Sequence, residues 1–157
     1  MNPKEIIIHH TASSRDKTTI EDINQWHKVK WPEMLSSLGY YIGYHYLILS
    51  NGEIKQCRRD DEIGVHCPPN LGRIGIALTG NFDIEQPTPA QLNSLQRFLE
   101  GFKKIYQIKD ICILGHKEKG LTSCPGRYLM IWLLSYRQLN FLQTLVRLLQ
   151  TLIAKLK

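Results

Sequence analysis

Two short aliphatic runs, each leading into histidine, constrain this chain more than any other feature. Glu5-Ile6-Ile7-Ile8 runs directly into His9-His10, and Ile111-Cys112-Ile113-Leu114 runs through Gly115 into His116. Runs this short and apolar, bounded by polar residues, predict buried strands over 5–9 and 111–114 rather than helices. Each histidine then stands where a strand gives way to a loop. The loop after His116 returns a thiol, Cys124, with the hydroxyl of Thr122 two residues before it and Pro125 directly after. An imidazole and a thiol on one loop suit Zn²⁺, which accepts both in a tetrahedral shell. A third ligand has to come from elsewhere, and the histidine pair at the tip of the first strand is the candidate. Three protein ligands leave one position open, as in a catalytic zinc site.

The segments between these runs alternate in character. Thr18-x-x-Glu21 reads as a capping box opening a helix through Ile20, Ile23, Trp26 and His27, stopped at Trp31-Pro32. Residues 44–49 alternate as a strand, Asn51-Gly52 marks a tight turn, and 53–58 forms the return strand. Residues 59–70 form a charged, proline-containing loop, followed by a strand over 74–78. Thr88-Pro89-Ala90-Gln91 caps a second helix whose buried stripe is Leu92, Leu95, Phe98, Leu99, Phe102 and Ile105. A helical region begins at Pro125. Strands alternating with helices predict an α/β fold: a central mixed β-sheet flanked by helices, one domain over 1–136, with an additional amphipathic helix over 137–157.

Charge and cysteines narrow the function classes. The net charge is +6, yet all five Lys and Arg of residues 125–157 stand without a single acid, whereas residues 1–124 are nearly balanced. The basicity belongs to the tail, and no groove-binding motif accompanies it, so nucleic acid is not an expected partner. There is no apolar run long enough to span a membrane and no signal-peptide pattern, which predicts a protein that is cytoplasmic at synthesis. Reduced thiols are expected for Cys57, Cys67, Cys112 and Cys124; Cys57 and Cys67 would pair only in an oxidising compartment. No His-Glu-x-x-His stands anywhere, which excludes a thermolysin-like peptidase.

Ile-Ile-His-His-Thr-Ala at 7–12, Gly43-Tyr44-His45-Tyr46, and His116-x7-Cys124-Pro125 together resemble the zinc-dependent N-acetylmuramoyl-L-alanine amidases. That superfamily includes phage amidase lysozymes and peptidoglycan recognition proteins, and the resemblance extends in order over roughly residues 1–135. It implies one Zn²⁺ per chain held by His9, His116 and Cys124, with His10 a packed or supporting histidine. It implies catalytic roles for Tyr44, a phenol aimed at the reacting oxygen, and for Thr122, where the resembling phage enzymes often carry lysine. His66 matches a histidine lining the substrate cleft, and Asn70 and Trp26 are further substrate contacts, although the core is the favoured place for Trp26. His45 alternates to the opposite side from Tyr44 and is expected to be structural.

The resemblance implies peptidoglycan as the partner, cleavage between N-acetylmuramic acid and L-alanine, and a phage or prophage endolysin acting on the cell wall after release. The rival readings are a non-catalytic peptidoglycan-binding protein and a partner-regulating protein on the same fold. Beyond the resemblance, Leu142, Leu145, Leu149, Leu152 and Leu156 recur at helical spacing. That stripe suits packing on the body, self-association, or contact with an anionic membrane or lipopolysaccharide.

Overall fold

The computed structural model describes residues 2–156. Five strands, β1 (Glu5–His10), β2 (Tyr46–Ile48), β3 (Ile54–Gln56), β4 (Arg73–Leu78) and β5 (Ile113–Gly115), form one sheet in the order β3-β2-β4-β1-β5. The pairs β2–β4, β4–β1 and β1–β5 are parallel, and only the β2–β3 hairpin at the edge is antiparallel. The sheet is mixed and helices cover both its faces, which is the α/β class expected from the alternation of runs.

Parity along β1 decides which side each residue serves. Ile6 and Ile8 join Ile74, Ile76 and Leu78 of β4 beneath helix α2 (Pro89–Tyr106) and the first turns of helix α3 (Arg127–Lys155). The opposite face packs Leu47 and Ala77 against Ile23 of helix α1 (Ile20–Lys30). His9 pairs with Ala77 and His10 with Leu78, so the two histidines point to opposite sides.

Several local readings shift. The α1 capping box is Thr19 with Asp22, one residue later than Thr18 with Glu21, because Asp22 accepts from both the backbone and the hydroxyl of Thr19. The last strand is Ile113–Gly115, since only those residues reach register with Ile6–Ile8; Asp110–Cys112 is a 3₁₀ turn that leaves Ile111 77% exposed. The hairpin strands are shorter than read, because the His45 carbonyl accepts both the Cys57 and Arg58 amides and interrupts the ladder. Helix α2 is capped by Thr88 and Gln91 as expected, but Ile105 at the margin of its stripe turns to solvent. Trp26 is 50% exposed rather than core; Ile23 supplies the buried contact of α1. All four cysteines are free thiols.

Helix α3 starts at Gly126, where a Cβ would collide with the Phe82 carbonyl carbon at 2.4 Å and where φ is +85°, so glycine alone fits without strain. Leu129, Met130, Leu133 and Tyr136 bury its first turns. The helix is continuous through residues 136 and 137, and what changes there is burial: residues 141–156 are all exposed. No helix among the described residues is long and apolar enough to cross a membrane.

Burial therefore separates two leucines of one helix. Leu133→Ala should lower unfolding stability by about 2–5 kcal/mol, whereas Leu149→Ala should change it by less than about 0.5 kcal/mol. Urea unfolding midpoints of the two variants check this.

Candidate metal centre

The carboxyl ends of β1 and β5 deliver His9 and His116 side by side, with their ring centroids 4.6 Å apart. Cys124 is returned to them by a loop pinned at several points. Lys117 N–H donates to the Cys124 carbonyl at 2.7 Å, and Glu118 accepts from Gly115 N–H while pairing with Arg137 of α3. One ligating atom from each of His9, His116 and Cys124 lies within 4.8 Å of the others. His9 Nδ1 and Cys124 Sγ are 3.5 Å apart. A tetrahedral zinc with Zn–N about 2.0–2.1 Å and Zn–S about 2.3 Å would hold such atoms about 3.6 Å apart. The donor set and its spacing fit that ion.

Around this trio the remaining groups are held in place. The His10 backbone N–H donates to Cys124 Sγ at 3.4 Å, and its ring accepts from Phe82 N–H on the far side of the sheet. His66 Nδ1 is 3.1 Å from His9 Nε2. The His66 ring lies flat against Gly64 and Gly75, where a Cβ on Gly75 would sit 2.6 Å from it. His45 is buried, accepting from Gly75 N–H and meeting the Glu62 carbonyl, a structural placement. The Tyr44 ring packs 5.1 Å from His9. Thr122 Oγ1 accepts from Cys124 N–H, and Asn70 Oδ1 accepts from the His66 and Cys67 amides, which fixes the 66–70 turn.

A cleft of about 510 Å³ opens over these groups. His9, His116, Cys124, Tyr44, Thr122, His66 and Asn70 all line it; Trp26 does not, and Lys30 and Trp31 from the end of α1 do. In the sequence, Trp31 before Pro32 marks only a helix stop. The usable signal was His27 four residues earlier, whose ring meets the Trp31 ring edge-on at 5.1 Å and the Tyr44 ring at 5.4 Å.

Burial sets the protonation of the site. It holds His9 well below the usual imidazole range, with His66, His116 and His10 adding to the effect, and it lowers His116 as well. These rings are neutral near pH 7, with lone pairs available to a cation. Burial also pushes the Cys124 thiol up to about 12, so ligation has to displace its proton. Burial, then the nearby Cys124, raises the Tyr44 phenol, which stays protonated and keeps an O–H to donate.

A family model described as N-acetylmuramoyl-L-alanine amidase matches residues 1–127. The chain belongs to that family. Peptidoglycan-recognition protein SD of Drosophila simulans is 36% identical over 90 residues, 56% of this chain. The endolysin of Klebsiella phage KP32 is 27% identical over 136 residues, covering 82% of this chain and 83% of the phage protein. The solved endolysin N-acetylmuramoyl-L-alanine amidase LysCS from Clostridium intestinale matches with a TM-score of 0.70 at 32% identity, covering 82% of this chain and 78% of that one. The chain spans 48% of the length of the Drosophila protein, so the match to it is local. The family's enzymes are typically zinc-dependent, and His9, His116 and Cys124 are this member's site able to bind a metal.

His27 supplies a test of how the cleft wall is held. Its Nδ1 accepts from Gly43 N–H at 2.9 Å, and burial, with Lys30 and Arg58 nearby, lowers its pKa to about 4. The unfolded chain takes up this proton below about 6.5, while the folded chain does not until about 4. Stability should therefore fall as pH drops through that window, by up to about 1.4 kcal/mol per pH unit from this group. In thermal melts of metal-free protein between pH 7 and 4, His27→Gln should give the shallower decline.

Proposed function

We propose that this chain is a zinc-dependent amidase that hydrolyses the bond between N-acetylmuramic acid and L-alanine in peptidoglycan, acting as an endolysin on the cell wall after release. The observation that supports it most is the convergence of two neutral imidazoles and a thiol in an open cleft, beside a phenol that keeps its proton to donate.

His9, His116 and Cys124 would hold the ion. When bound, zinc supplies a Lewis acid that polarises a carbonyl and makes water nucleophilic near neutral pH. For His9 to present the Nδ1 lone pair its proton must sit on Nε2, where it donates to His66 Nδ1. His66 thereby fixes the tautomer and ring angle of the ligand, a supporting role beyond the substrate contact implied by resemblance. Tyr44 donates to the scissile carbonyl oxygen as negative charge develops there. Thr122 accepts the Cys124 amide, which leaves its O–H to donate to the same oxygen or to the substrate. Trp31 offers a face for the sugar or peptide, and the Asn70 amide N–H₂ is a donor at the rim.

The Drosophila relative is named for peptidoglycan recognition, which supports binding; a second reading is therefore that this chain binds peptidoglycan and does not cleave it. Zinc content and release of stem peptide from purified peptidoglycan separate the two. Wild type should carry one zinc and release peptide, and Cys124→Ser should lose both. Tyr44→Phe should keep the metal while kcat falls about 10²–10³-fold. Zinc without release from any wall preparation would leave the binding reading, and release undiminished in Cys124→Ser would overturn the metal mechanism.

A further inference from the structure

The exposed half of α3 has its own logic, independent of the cleft. With successive residues about 100° apart, every Leu, Ile, Val and Phe from Leu139 to Ile153 falls within one arc of roughly 180°. Asn140, Gln143, Thr144, Arg147, Gln150 and Lys155 occupy the other half. The apolar half is open to solvent, with Phe141 61%, Leu149 58% and Leu152 57% exposed.

Phase excludes packing on the chain's own body. In the first turns Leu129, Leu133 and Tyr136 face the sheet. That direction continues into the polar half of the tail, where Asn140 donates to Asp110 and where Arg147 shares a cavity wall with Lys103 and Lys104 of α2. Ile131 and Leu134, exposed on the outer side of the packed turns, continue the apolar arc backwards. A continuous helix therefore carries this surface away from the domain.

We propose that this face lies on an anionic phospholipid bilayer, with the helix parallel to the surface and its apolar half sunk among the headgroups. Two observations favour lipid over a second copy of the chain. An arc of roughly 180° is wider than the a/d seam that paired helices bury. Residues 138–156 carry Arg147 and Lys155 and no acid, so two copies would have none of the flanking acid–base pairs that hold paired helices in register. An anionic surface answers those cations directly, and a polar half with Arg147 near its middle keeps the helix at the interface rather than across it.

The test uses the full chain sedimented with vesicles of phosphatidylcholine alone or with one quarter phosphatidylglycerol. Wild type should partition onto the anionic vesicles. Leu145→Gln/Leu149→Gln/Leu152→Gln, all at exposed positions, should bind more than about a hundredfold more weakly with an unchanged urea midpoint. Arg147→Glu/Lys155→Glu should lose roughly an order of magnitude or more on anionic vesicles and little on phosphatidylcholine. Absence of binding by wild type, or equal binding by the triple variant, overturns the proposal. Concentration-dependent self-association in sedimentation velocity, abolished in the triple variant and seen without vesicle binding, overturns it too and assigns the face to a second copy.

Discussion

The parallel pairing of β1 with β5 is the constraint on which the site depends. Only three residue pairs make it, Ile6 with Ile113, Ile7 with Leu114 and Ile8 with Gly115, and they set His9 beside His116 just beyond the last pair. The three isoleucines of β1 are fully buried between two covered faces. A slip of one residue would move Ile7 and His9 to the α2 side and send Ile6, Ile8 and His10 toward the cleft. Burial of the strand and placement of the ligand are thus one requirement, and the core enforces the geometry of the centre.

That placement gathers three imidazoles and a thiol where water is scarce, and low solvation keeps all of them uncharged. Protonated rings in that space would repel one another and leave no ring lone pairs for an ion. The neutral cluster offers lone pairs that could hold a cation, and hydrogen bonds orient its members. His66 acts on one ring, the His10 amide on the sulfur, and Glu118 with Arg137 on the loop between. Gly75 belongs to this support, because any side chain there would displace His66.

Helix α3 links the centre to the surface. Its first turns close the core beneath the sheet, and Arg137 anchors it to the Ile113 carbonyl of β5 and to the metal loop. Its outer half carries an apolar face that the domain does not cover. One continuous element thus changes which side is apolar near residue 137, a change of phase that residue counts alone do not reveal.

Much of this was readable in the order of residues. The isoleucine run, Asn51-Gly52 and the Thr88–Gln91 cap specify their elements through local sterics and backbone hydrogen bonding, and such rules travel with the sequence. The grouping of His9, His116 and Cys124 was legible because soft sulfur and imidazole on strand-end loops have a narrow range of uses. What the sequence did not disclose depends on contacts between distant segments. The start of β5 follows from register with β1, the exposure of Trp26 and the cleft position of Trp31 from how α1 lies on the sheet, and the hold of His66 on His9 from the bare surface of Gly75. Local chemistry determined which residues could form a centre and a helix; only tertiary packing decided which side each faces, because direction is set by the partner a segment is buried against.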